Sequence, residues 1–353
     1  LILAVLCFAI AGATLWYLVA SAHGATDVED MPCNALERVG FAFDAHDEFN
    51  QAYPGDSLSR YDLTALFGER NASGWYYDFG YRVDGAYEVG TLDYAIQMLW
   101  SVPNTVTLEA IILGSRASPN DNNPSDAFIV GNEPDIRGQG DDTPTEYAQF
   151  YHDAYTRIKA IDANRQVGTA GVATPTLLRM AYWNRVFSEY QRLYGVTMPV
   201  DIWTVHGYLF DERRHIPPGM DDSKQLANAE AANLLDRIVV FRQWMADHGY
   251  RDAELWITEM SDMAAIPALL AAQSEYGLAS DDSRDVQRLA WFSLNYWLIP
   301  DSALYDKENT QPTEMAFAFR DVVDRIGGAC VASPVPTAPA IEMYYFPVVE
   351  KGR

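Results

Sequence analysis

Eight short apolar runs, separated by polar or helix-patterned intervals, leave this chain few ways to fold. The runs are Val39–Phe43, Trp75–Gly80, Tyr94–Trp100, Phe128–Gly131, Gln166–Gly171, Asp201–Tyr208, Glu254–Glu259 and Leu289–Trp297. Each is strand-like in length, apolar and rich in β-branched or aromatic residues. Three intervals carry clear helical periodicity. Thr143-Pro144-Thr145-Glu146 supplies an N-cap, a first-turn proline and a capping-box glutamate for a helix to about Ile161. Ala229–His248 spaces Leu234, Leu235, Ile238, Phe241, Trp244 and Met245 helically and stops at Gly249. Pro312–Ile326 repeats the pattern and ends on Gly327-Gly328. Leu58–Arg70 and Val106–Leu113 each have room for a short helix. Eight strands alternating with helices over roughly 290 residues predict a single-domain α/β protein, a (β/α)8 TIM barrel over residues 37–328. A doubly wound open sheet is the alternative, but no G-x-G-x-x-G follows the first strand.

The flanks read differently. Leu1–Ala20 is apolar almost throughout, and Ala20-Ser21-Ala22 offers a small-x-small cleavage site. Residues 1–22 are therefore expected to be an export signal or an uncleaved N-terminal anchor. Residues 23–36 are a polar linker, and 329–353 combine a Pro/Ala-rich linker with an apolar tail. The expected location is secreted or cell-envelope associated, with any membrane contact made through the N-terminal segment. In such an oxidising compartment Cys33, before the first strand, and Cys330, after the last helix, are expected to form a disulfide across the barrel's closure. The net charge of -24 excludes a nucleic-acid partner, which needs a basic face. A monomer is expected.

Chemistry concentrates at two strand ends. F-I-V-G-N-E-P-D (Phe128–Asp135) ends on an Asn132-Glu133-Pro134 turn, and L-W-I-T-E (Leu255–Glu259) ends on a second glutamate. Barrel enzymes carry their catalytic groups at the C-terminal ends of strands. By count, Glu133 follows strand 4 and Glu259 ends strand 7. Paired carboxylates at such positions suit glycosidic cleavage, which needs one acid and one nucleophile or base.

With these motifs the chain resembles the clan of retaining (β/α)8 glycoside hydrolases, which place Asn-Glu-Pro after strand 4 and a nucleophilic glutamate on strand 7. G-W-Y-Y-D-F-G, V-G-N-E-P-D and W-I-T-E together resemble the bacterial "glycosyl hydrolase catalytic core" proteins, akin to β-1,3-glucanases. The resemblance implies Glu133 as acid/base, Glu259 as nucleophile and Asn132 as a ligand of the sugar 2-hydroxyl. It also implies that Tyr208 of strand 6 donates to the nucleophile.

By the two-residue period Thr204, His206 and Tyr208 share one strand face, which would bring His206 and Tyr208 to the barrel mouth. Asp78 is a candidate acceptor for sugar hydroxyls. Trp297 and Trp100 are candidate platforms for a pyranose ring, and the remaining tryptophans are assigned to the barrel–helix core. No H-E-x-x-H or other metal spacing occurs among the histidines, and no G-x-S-x-G occurs, so neither cofactor nor metal is expected. A carbohydrate substrate follows. Rival readings are a carbohydrate-binding pseudo-enzyme and an envelope-anchored structural protein on the same barrel.

Overall fold

The computed structural model describes residues 35–43, 58–68, 74–79, 93–98, 102–114, 127–228, 233–267, 269–270, 286–296 and 300–328. The strands are β1 (Val39–Phe43), β2 (Trp75–Phe79), β3 (Asp93–Met98), β4 (Ala127–Val130), β5 (Gln166–Thr169), β6 (Ile202–His206), β7 (Glu254–Met260) and β8 (Val286–Trp291). Each pairs in parallel with the next and β1 pairs with β8, so the sheet closes into a barrel. The described helices include α1 (Thr64–Phe67), α2 (Thr105–Gly114), α3 (Pro144–Ile161), α4 (Leu177–Tyr194), α5 (Leu234–Asp247) and α6 (Glu314–Gly328). This is an α/β protein on a parallel, TIM-like barrel sheet. Residues 80–92, between β2 and β3, lie outside the described residues, as do 1–34 and 329–353 with Cys33 and Cys330.

Several boundaries differ from those expected. β8 starts three residues before Leu289 and ends at Trp291, short of Trp297, because the chain bends at Phe292. Within the expected 229–248 helix, α5 begins at Leu234, where the Asn233 side chain accepts from the Asp236 N–H as an N-cap. The Ala35–Arg38 turn takes up the end of the expected linker. α3 begins as its sequence dictates, with Thr143 and Glu146 forming a complete capping box.

Alternation along the strands sorts side chains into two layers. Val39, Phe41, Phe128, Val130, Trp203, Val205, Leu255 and Ile257 face the helices and join the large outer core. Ala42, Trp75, Tyr77, Ala95, Ala127, Ile129, Ile202, Trp256 and Ala290 fill the barrel interior. The interior therefore balances two tryptophans against four alanines, and this corrects the assignment of Trp75 and Trp256 to the barrel–helix layer. Their rings lie 5.1 Å apart, with the Arg288 guanidinium over both at 5.4 and 5.0 Å. Trp75 Nε1 donates to the carbonyls of Arg38 and Leu289, both at 3.1 Å, which ties the plug to the β1–β8 seam.

Gly40 is the residue that admits this plug. It pairs with Trp75 across β1–β2, and a Cβ at position 40 would overlap the Trp75 carbonyl and indole. Strand propensity alone favours alanine over glycine. Overpacking of a buried contact costs about 1–3 kcal/mol. Gly40→Ala is therefore expected to lower unfolding free energy by about that amount in urea titrations, and a neutral or stabilising outcome would contradict the Trp75 plug.

Candidate active site

Glu133 reaches the barrel mouth through a turn that leaves β4 at once. Gly131 and Glu133 both have positive φ, 91° and 39°. Glu133 is a non-glycine residue in this region, and its backbone is held there from several sides. Its N–H donates to the Gly171 carbonyl at 3.0 Å, while its own carbonyl accepts from Ile136 at 3.0 Å and Gly140 at 3.1 Å. The Tyr147 hydroxyl of α3 donates to the Val130 carbonyl at 2.9 Å and accepts from the Ala170 N–H at 2.7 Å, pinning the ends of β4 and β5.

Glu259 arrives by a different device. Trp256 faces the interior and Ile257 the helices, so strict alternation would turn Glu259 outward. The β6–β7 register shifts between Val205 and His206, so that Val205 pairs with Ile257 but His206 pairs with Glu259. The extra residue of this bulge re-aims Glu259 into the mouth, a use of bulges common beside active sites. Past the bulge Gly207 N–H donates to the Glu259 carbonyl at 2.7 Å.

The two glutamates meet around His206. Its Nδ1 lies 3.0 Å from Glu133 Oε1 and 3.5 Å from Glu259 Oε2. One oxygen of each glutamate and one imidazole nitrogen all lie within 4.8 Å of one another. The Tyr208 hydroxyl donates to Glu259 Oε2 at 2.7 Å, and the Tyr77 hydroxyl to Oε1 at 3.5 Å. Both glutamates are nearly buried, at 6% and 5% exposure. The space behind the imidazole is closed by Gly171, where any Cβ would overlap Nε2.

Burial pushes the Glu259 carboxyl up to about 7, and the charge of Glu133 adds to this. His206, Tyr208 and Tyr77 pull it down. Burial opposes a charge on His206, but Glu259 and Glu133 outweigh it and the imidazole pKa rises. Burial and the adjacent Glu259 raise Tyr208 well above the usual phenol range, so its hydroxyl keeps the proton it donates. Glu133, His206 and Glu259 also offer a nitrogen and two oxygens to a cation, but hydrogen bonds to Tyr208 and Tyr77 already engage Glu259.

Of the residues singled out in the sequence, Glu133, Glu259, His206 and Tyr208 are thus brought together, with Asn132 in the same turn. Asp78 is not placed with them. It alternates with Tyr77 and so shares the strand side of Tyr76, which packs in the outer core. Trp100 and Trp297 lie outside the described residues. Tyr77 was missed as a site residue, although the W-Y-Y-D-F alternation puts it two residues beyond the plug Trp75 on the same face. Arg179 and Glu212, both fully buried near the rim, carried no sequence signal.

A sequence profile described as "Glycosyl hydrolase catalytic core" matches residues 51–319. No curated protein matches the chain. Among solved structures, the chain is similar to a GH128 (subgroup II) endo-β-1,3-glucanase from Sorangium cellulosum, at 16% identity and TM-score 0.47, covering 81% of this chain and 98% of that one. A GH128 (subgroup I) endo-β-1,3-glucanase from Amycolatopsis mediterranei, in complex with laminaritriose, is similar at 18% identity and TM-score 0.46, covering 81% and 99%. A GH128 (subgroup III) curdlan-specific exo-β-1,3-glucanase from Blastomyces gilchristii, in complex with glucose, is similar at 15% and 0.48, covering 81% and 99%.

The Tyr208 hydrogen bond favours the ionised form of Glu259, and bonds to charged groups contribute about 1.5–3 kcal/mol. Its removal in Tyr208→Phe is expected to raise the Glu259 pKa by about one to two units. If Glu259 must be ionised to act, the acidic limb of the pH–rate profile moves to higher pH by that amount. An unmoved limb would show that Tyr208 does not set the charge of Glu259.

Proposed function

We propose that this chain, which belongs to the glycosyl hydrolase catalytic core family, cleaves the β-glycosidic bonds of a β-glucan by a retaining double displacement. Glu259 is the nucleophile and Glu133 the acid/base. The observation that carries this reading is the short gap between the two carboxylates, one oxygen of each lying within 4.8 Å of the other. Retaining enzymes hold the pair about 5–5.5 Å apart, whereas inverting enzymes leave about 6.5–9.5 Å for a water.

The hydrogen bonds support this division of roles. Tyr208 and Tyr77 aim hydroxyls at Glu259, which favours its carboxylate as the attacking group. Glu133 faces the imidazole of His206, a partner able to give or accept a proton. In the first step Glu133 protonates the leaving oxygen while Glu259 attacks the anomeric carbon, forming a glycosyl ester. In the second, water attacks that carbon, Glu133 takes its proton and Glu259 is released. Asn132 binds the 2-hydroxyl, and Trp100 and Trp297 are sugar platforms in the same proposal. So are a complete (β/α)8 ring, export through the N-terminal segment, and the Cys33–Cys330 bond. β-1,3-Glucans, on which the solved enzymes named above act, are the first substrates to test.

Glu133→Ala is expected to lose about 10²–10⁴-fold in kcat/KM on laminarin. It should keep near parental kcat/KM on a 2,4-dinitrophenyl β-glucoside, whose leaving group needs no acid. Glu259→Ala should lose turnover on both, and azide should restore a product of inverted anomeric configuration. Near parental activity in both variants would place the chemistry elsewhere.

A further inference from the structure

Two loops deliver side chains to this site: the one after β4, which carries Glu133, and the one after β6, which carries Tyr208. A single buried guanidinium joins them. Arg179, in the first turn of α4, is fully buried. Its Nη1 meets Asp135 Oδ2 at 3.0 Å and donates to the Asp135 carbonyl at 2.9 Å, two residues beyond Glu133. Its Nε meets Glu212 Oε1 at 3.2 Å and its Nη2 donates to the His215 carbonyl at 2.8 Å, both on the β6 loop. The Phe210 ring of the same loop lies 5.6 Å from the guanidinium.

The acidic partners are themselves tied down. Glu212 Oε1 accepts from Thr176 Oγ1 at 2.5 Å, and Oε2 accepts from the Asn228 N–H at 3.0 Å. Asp135 Oδ2 accepts from the Ala173 N–H at 3.4 Å, beyond the end of β5. One side chain thus ties together the rim segments that follow β4, β5 and β6. Such an ion network is a poor source of net stability, because desolvating three charges offsets most of their attraction. Burial even raises the Asp135 carboxyl to about 6 despite its cation. What the network does supply is fixed geometry, since the planar fork allows one arrangement of its partners.

We propose that Arg179, held by Asp135 and Glu212, is a positioning residue that sets Glu133 against Tyr208 and Glu259 for proton transfer to the leaving group. This rests on Glu133 being the acid. Arg179 touches neither glutamate of the mouth, so it acts through the two loops.

The test compares kcat/KM, which reports the glycosylation step, on laminarin and on 2,4-dinitrophenyl β-laminaribioside. Arg179→Lys keeps the charge but cannot hold four partners at once. It is expected to lose on the order of 10–100-fold on laminarin, the scale on which a 1 Å misplacement acts. On the activated glycoside the loss should be under about threefold, because no proton is needed there. A purely structural role would lower both values by the same factor, and that result, or no loss on either, overturns the proposal. If Arg179→Lys does not fold, Asp135→Asn and Glu212→Gln, which preserve shape, are expected to give the same split. An unchanged ratio in both overturns it. Glu133→Ala is measured alongside: if it shows no leaving-group dependence, the acid assignment falls and the clamp with it. If it does and the clamp variants do not, the clamp alone falls.

Discussion

Two carboxyl groups a few ångströms apart, nearly out of contact with water, cannot both be ionised without a large cost. Glu133 and Glu259 are in that position, and much of the surrounding architecture answers to it. His206 stands between them with one nitrogen toward both acids, and two tyrosine hydroxyls aim at Glu259 alone. The asymmetry of donors gives two chemically identical side chains different electrostatic surroundings. Burial of the pair also strengthens every one of these contacts, because little solvent competes for them.

Such a pair has to be delivered by backbone, and the barrel uses two unlike means. Glu133 sits on a turn with positive φ, braced by hydrogen bonds to Gly171, Ile136 and Gly140. Glu259 sits on a strand whose alternation is broken by one bulge. Beneath both, the Trp75–Trp256 plug and Arg288 fill the barrel, so the site rests on a packed floor. Each device costs some stability locally. The closed sheet and its outer core tolerate that cost.

The repeating parts of the fold were legible from the chain alone. Eight apolar runs predicted the strands, and the capping box placed the start of α3 at Pro144. The N-E-P-D and T-E strand ends pointed to Glu133 and Glu259, and the period of β6 placed His206 and Tyr208 on one face. What stayed hidden depends on tertiary context. Alternation from Trp256 would have sent Glu259 outward, and no local residue announces the bulge that reverses it. Arg179 and Glu212 read as ordinary helix and loop charges until three loops meet around them. Trp75 and Trp256 read as barrel–helix core residues, because their place inside the barrel depends on Gly40 and the alanines opposite.

In the proposed reaction Glu259 attacks the sugar while Glu133 moves protons. Incubation with 2-deoxy-2-fluoro-β-laminaribiosyl fluoride, followed by intact mass and peptide mapping, tests it most directly. A slow glycosyl ester should accumulate, and the added mass should map to the peptide carrying Glu259. An adduct on Glu133, or no adduct from an enzyme that releases the inverted anomer from laminarin, would contradict this division of roles.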